Sequence, residues 1–209
     1  MSKLSFPRDI KLMFSGHETF PLRQLWLKKA HDQVMLHISP NRISAPKSVF
    51  SDDDATERFG VGKNMVASIK HWALSCDIIR DSNQEGGFEI GQIGSFLFGT
   101  ATESGHDEFL EYDASVWLIH WLLSGRSHRT PTWYALFNFI QNQSFTQHEL
   151  ITALDNSSAF SNIKKSQTTL SRDVETCIRC YTANHDSEDN MEPSVSYTHL
   201  RAHETVLDL

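Results

Sequence analysis

Lys63, Asn64, Lys70 and His71, with Ala67 among them, fall at helical spacing on one side of a segment whose other side is apolar. Lysine in such a place neutralises phosphate, and Asn64 or His71 could reach the edge of a base. Lys164, Lys165 and Arg172, with Thr168 and Arg179, form a second polar and mostly basic set. The plainer explanation for both is a solvated helix face. The first set has the stronger claim, because a hairpin pattern follows it at the right distance. Either set would make duplex DNA the partner.

Other clusters are weaker. His17 and Glu18, close to Arg23 and between Phe14 and Phe20, could be an acid–base or metal-binding pair. A hydrogen-bonded network anchoring the first helix is the simpler expectation. Cys177 and Cys180 form one C-x-x-C with no second pair. A structural metal needs four well-placed ligands, so a reduced, buried pair is expected, and no metal site is assigned. Phe59-Gly-Val-Gly-Lys63 fails as a phosphate loop. Glu57 stands where the loop needs Gly, and Asn64 where it needs Ser or Thr. Trp117, Trp121, Trp133 and Phe137 follow helical spacing and are expected in the core. No nucleophile elbow or acid–acid–Lys arrangement is visible, so catalytic residues stay unassigned and no cofactor is identified.

Several elements must position these groups. A helix from about Pro21 to His37 carries Leu22, Leu25, Trp26, Ala30 and Val34 on one stripe, with Thr19 as a capping oxygen. Ser51 and the three Asp after it predict a short helix to Phe59. Gly60-Val-Gly62 predicts a tight turn, and a second helix runs from Lys63 to Cys76 with Val61, Met65, Ile69, Trp72, Ala73 and Cys76 inside. Ile78-Ile-Arg80 and Phe88-Glu-Ile90 flank a Gly-bearing loop and predict a hairpin. This is the outline of a winged helix-turn-helix. A second helical block follows. Asp113 or Ser115 would cap Val116–Leu123, Thr130-Pro131 opens a helix, Thr146 and Glu149 read as a capping box, and a last helix runs to Tyr181.

The chain has 209 residues, a formal charge of −7 and no long apolar run, so neither a membrane span nor a secretory leader is implied and a reduced cytoplasmic protein is expected. Asp186, Glu188, Asp189, Glu192, Glu204 and Asp208 against Arg201 put −5 of that charge beyond residue 182. A nearly neutral body can still present a basic face. Residues 195–205, Val-Ser-Tyr-Thr-His-Leu-Arg-Ala-His-Glu-Thr, resemble a translated sequencing-library adapter. We therefore expect 195–209 to be an artefact, His199 and His203 to be no metal motif, and the natural chain to continue.

Phe14-Ser-Gly-His-Glu-Thr-Phe-Pro-Leu-Arg-Gln-Leu-Trp-Leu-Lys28, Phe59-Gly-Val-Gly-Lys-Asn-Met-Val66, His71-Trp-Ala73, Trp117-Leu-Ile-His-Trp-Leu122 and Ser171-Arg-Asp-Val174 together resemble a bacterial family catalogued as a domain of unknown function. Its genes sit in DNA phosphorothioation and phage-defence islands, and the SspB-type phosphorothioation component looks like it. The resemblance implies DNA binding, other phosphorothioation-system proteins as partners, and strand nicking before sulfur insertion. A divalent metal would be needed only for nicking.

The expected fold is mainly α: a winged helix-turn-helix with a small β-hairpin, plus a second, HTH-like helical block. The expected division is an N-terminal helical segment at 1–44, a winged-helix domain at 45–105, a helical domain at 106–182 and a tail at 183–209. The alternative to a DNA-handling defence component is a non-enzymatic winged-helix regulator or a protein-interaction adaptor.

Overall fold

The computed structural model describes residues 12–38, 43–83, 86–140, 144–156 and 166–182. The adapter-like tail, with His199 and His203, lies outside them, as do Lys164 and Lys165. Among the described residues the chain is mainly helical, with one small antiparallel sheet.

Helix α1 spans Gln24–His37 and buries Trp26, Ala30 and Val34, with Leu27 and His31 beside them, at the four-residue spacing of one helix face. It begins later than the sequence predicts, because Thr19 is in the left-handed region (φ 66°) and does not cap it. The Thr19 carbonyl instead accepts the Arg179 guanidinium at 3.3 Å. Leu25, expected on the buried stripe, is 38% exposed, since it is one residue off the line through Trp26. Arg23 lies over the Trp26 ring, 5.4 Å from its centre, rather than joining His17 and Glu18.

The helix expected from Ser51 is shorter than predicted: α2 starts only at Ala55 and spans Ala55–Phe59, and a separate 3₁₀ turn at Lys47–Phe50 precedes Ser51. Asp52 is not used as a cap: its carboxylate takes Arg58 at 2.7 Å. Gly60 closes α2 with φ 66°, a conformation that glycine adopts without strain. Helix α3, Lys63–Ser75, follows directly. Strands β1, Ile79–Asp81, and β2, Phe88–Ile90, pair antiparallel, Ile79 opposite Ile90. Ala45 extends the sheet by a bridge to Phe88, exchanging N–H···O bonds of 2.7 and 2.8 Å.

Helix α4, Gln92–Phe98, was not anticipated; it follows the hairpin without a break and buries Leu97 and Phe98. Helix α5 spans Asp113–Gly125. Neither Asp113 nor Ser115 caps it; the Asp107 carboxylate braces the approach, accepting the N–H groups of Glu111 at 2.9 Å and Tyr112 at 3.0 Å just before the helix. Burial opposes ionisation of Asp107, but these bonds and those from Ser115 and Leu110 outweigh it and hold its pKa below the usual carboxylate value. Helix α6, Pro131–Phe139, opens at Thr130-Pro131 as predicted, and α7, Gln147–Asp155, carries the predicted Thr146–Glu149 capping box. Helix α8, Gln167–Arg179, is capped by the Ser166 hydroxyl, which accepts the Thr169 N–H.

Helix α1 packs on α3, α5 on α6 and α7 on α8. One buried cluster runs from Leu12 to Tyr181, with Trp26, Trp72 and Trp133 fully enclosed. Trp72 and Trp133 meet edge to face at 5.3 Å, joining α3 to α6. Trp121 is a correction: it is 68% exposed, while Trp117 and Phe137 are only partly buried. Ile119 and Leu123 face the core from α5, and Trp121, midway between them, lies about 200° around the helix from each.

Candidate functional site

The α2–Gly60–α3 turn leaves Lys63 and Asn64 exposed at the start of α3, with Lys70 half-buried two turns on. His71 is on the same side of α3, one turn past Ala67, but it is covered. It is 5% exposed, so its expected place among solvent-facing groups is corrected. The reason is tertiary: the 14–20 segment lies over this side of α3. A Cβ on Gly16 would collide with the His71 ring at Nδ1, so a larger residue at 16 would displace the imidazole. Arg172 is exposed on α8, where it borders a hollow with His148 and Thr152 of α7.

His17 is buried among α3, α6 and α8. Its Nε2 is 2.7 Å from Asp173 Oδ1, and its Nδ1 accepts the Thr19 N–H at 3.1 Å. The same Asp173 carboxyl accepts the Ser15 N–H at 2.8 Å and a short bond from the Thr132 hydroxyl. The His17 ring stacks on Trp72 at 5.9 Å. His17 and Asp173 are 1% and 2% exposed, which makes this an anchoring network that ties the first loop to α6 and α8. Asp173 and Thr132 were missed by the sequence reading. The available signal was a carboxylate next to the apolar line of Leu170, Val174 and Cys177, where Glu175 two residues on points to solvent.

Next to this network is a cavity of about 460 Å³. His71 lines it, and neither of its ring nitrogens has a hydrogen-bond partner. Burial, then the nearby His17, lowers the His71 pKa to about 3, so its ring is neutral. A buried polar group without a partner costs on the order of 1–3 kcal/mol. Lys47, Lys70 and Arg129 supply positive charge at the cavity wall, with Arg129 bonded to Asp81 at 3.2 Å. The loop above it is unusual: Ser15, Glu18 and Thr19 all have positive φ. Such conformations cost about 1–3 kcal/mol each and persist where surrounding contacts impose them. The His17–Asp173 network supplies those contacts.

The C-x-x-C pair is core. Cys177 and Cys180 are buried, and Cys180 Sγ accepts the Leu22 N–H at 3.4 Å. Among the described residues no three His, Cys, Asp or Glu side chains come together in a way that could hold a metal ion. No helix among them is long and apolar enough to cross a membrane.

Two solved structures resemble this chain. The magnesium ion-bound SspB crystal structure matches with a TM-score of 0.69 and 28% identity, over 87% of this chain and 54% of that one. A second SspB crystal structure matches with a TM-score of 0.68 and 26% identity, over the same shares. The chain therefore spans about half the length of the solved proteins it resembles. No curated protein matches. The family model for a protein of unknown function, DUF4007, matches residues 14–201, and the chain belongs to that family.

Proposed function

We propose that this chain is a DNA-binding part of a bacterial phosphorothioation and phage-defence component, and that α3 is the helix that meets duplex DNA. The observation that carries the reading is the exposure of Lys63 and Asn64 at the start of α3, directly after the Gly60 turn. The order around it supports a winged helix-turn-helix: α1, the Ala45 bridge, α2, the turn, α3, then the β1–β2 hairpin as the wing. Lys63 and Lys70 neutralise phosphate, and Asn64 is within the set that can read a base edge. Arg172, with Lys164 and Lys165, is a second contact in this reading.

The likeness to SspB supports a phosphorothioation setting, with other proteins of that system as partners; in this reading the chain works in the cytoplasm. One feature favours the adaptor reading. Trp121, Tyr112 and Phe109 are 68%, 65% and 60% exposed, and exposed aromatics of this size are typical anchors of protein interfaces.

The test is duplex binding over a salt series, with Lys63→Ala/Lys70→Ala beside the parent chain. The double variant should bind more weakly on every sequence, with a log–log salt slope shallower by about 2. An unchanged slope would remove α3 from the interface and turn attention to the adaptor reading.

A further inference from the structure

We propose that the cavity beside the 14–20 loop and α3 holds one backbone phosphate of a bound DNA strand, clasped by Lys47, Lys70 and Arg129. This rests on the DNA-binding reading above and extends it. Lys47 and Arg129 belong neither to α3 nor to the hairpin, so the second helical block also grips the strand.

The three cations reach the cavity wall from separate elements. Lys47 opens the 3₁₀ turn, Lys70 is in α3, and Arg129 immediately precedes the Thr130 N-cap of α6. Like charges gathered around one space repel unless a counter-charge sits among them. The wall supplies two carboxylates, Glu18 and Asp81, against the three cations. Asp81 takes one Arg129 nitrogen at 3.2 Å, which leaves other guanidinium donors for a ligand. Lys47 and Lys70 form no hydrogen bond or ion pair with another described residue. An anion in the cavity supplies the missing counter-charge.

Arg129 is held for the task. The Met13 N–H donates to the His128 carbonyl at 2.8 Å, and the Thr130 hydroxyl donates to the Leu123 carbonyl at 2.7 Å. These bonds fix the residues on either side of Arg129, and only 19% of its side chain is exposed. A planar guanidinium matches phosphate oxygens bidentately, and ordering it in advance lowers the cost of binding. The field at this turn is positive: burial, then Arg129 and Arg126, holds His128 below its ordinary pKa. His71 takes no part, because its ring nitrogens are enclosed.

Size and position select a phosphate within a strand. About 460 Å³ exceeds what one phosphate fills, and Met13, Leu74 and Phe88 offer an apolar wall to the sugar beside it. Lys70 follows Lys63 by seven residues, nearly two full turns. Both therefore lie on one side of α3, about 10 Å apart along its axis. A strand that meets Lys63 is thereby led to the cavity.

The experiment is duplex binding over a salt series, with thermal unfolding of each variant as the control for folding. Lys47→Ala/Arg129→Gln should bind about tenfold more weakly, with a log–log salt slope shallower by about 1, the loss of one phosphate contact. Asp81→Asn frees Arg129 from its competing carboxylate and should bind more tightly, a gain that damage to the fold does not produce. Lys28→Ala/Lys29→Ala removes the same charge from α1, where neither residue lines the cavity, and should leave the slope unchanged. The proposal is overturned if Lys47→Ala/Arg129→Gln keeps the parent slope, if the α1 variant loses as much, or if Asp81→Asn does not tighten binding. Inorganic phosphate is the free-anion arm. If it raises the unfolding temperature of the parent but not of Lys47→Ala/Arg129→Gln, while duplex affinity is the same for both, the site takes a free anion and the strand assignment falls. A shallower slope for Lys63→Ala alone keeps α3 at the DNA and removes the cavity. A shallower slope for Lys47→Ala/Arg129→Gln alone does the reverse, and no duplex binding by the parent sinks both.

Discussion

His17 Nε2 lies 2.7 Å from Asp173 Oδ1, across 156 residues of chain, with both side chains almost wholly enclosed. The contact fastens the loop that precedes α1 to the middle of α8. It also holds Ser15, whose N–H donates to the same oxygen, next to Gly16, which packs on the His71 ring.

Asp173→Ala should therefore cost far more than an average substitution. The His17 ring, the Ser15 N–H and the Thr132 hydroxyl would all lose a buried partner. A loss of about 3–5 kcal/mol in urea unfolding is expected, with Asp173→Asn retaining part of it. A cost under about 1 kcal/mol would show that the network is incidental.

Acid should destabilise the fold earlier than carboxylate titration would. Burial lowers His71 to about 3 and His120 to about 4, and His128 moves the same way, from an ordinary value of 6.5. Above pH 6.5 both folded and unfolded chains are neutral at these sites. Below it the unfolded chain takes up protons that the native histidines refuse, so stability falls as pH falls. The slope is about 1.4 kcal/mol per pH unit for each fully shifted histidine. Denaturant midpoints at pH 7 and pH 5 measure this, and His120→Gln should flatten the difference.

The thiols should be inert in the native state. Cys76, Cys177 and Cys180 are at most 1% exposed, and burial raises the Cys76 and Cys180 pKa values, Cys180 to about 12. An aromatic disulfide reagent at pH 8 should find no fast-reacting thiol until denaturant is added, when all three Cys react. Fast reaction of one native thiol would mean that the end of α8 opens.

Two tryptophans should separate core from surface. Trp133→Ala should cost about 3–5 kcal/mol, since the ring is 1% exposed and packs on Trp72. Trp121→Ser should stay within about 0.5 kcal/mol by thermal unfolding. A large loss at Trp121 would show that it carries packing.

The sequence by itself determined the features that close within a turn of chain. The opening of α6 at Thr130-Pro131, the Thr146–Glu149 capping box and the Gly60 turn into α3 each depend on atoms a few residues apart. The hairpin was legible for the same reason, as was the core stripe of Ile69, Trp72 and Ala73. Only the tertiary structure decided which polar residues are inside. His71 is polar by type and sits at a spacing suited to a DNA-facing side, yet Gly16 and its loop cover it. Asp173 looks like one more charge on a surface helix until His17 and Thr132 arrive to satisfy it. Trp121 looks like core until α5 is rotated by Ile119 and Leu123. Helical periodicity says which residues share a face, but which face is covered depends on packing partners distant in sequence, and no local pattern encodes them.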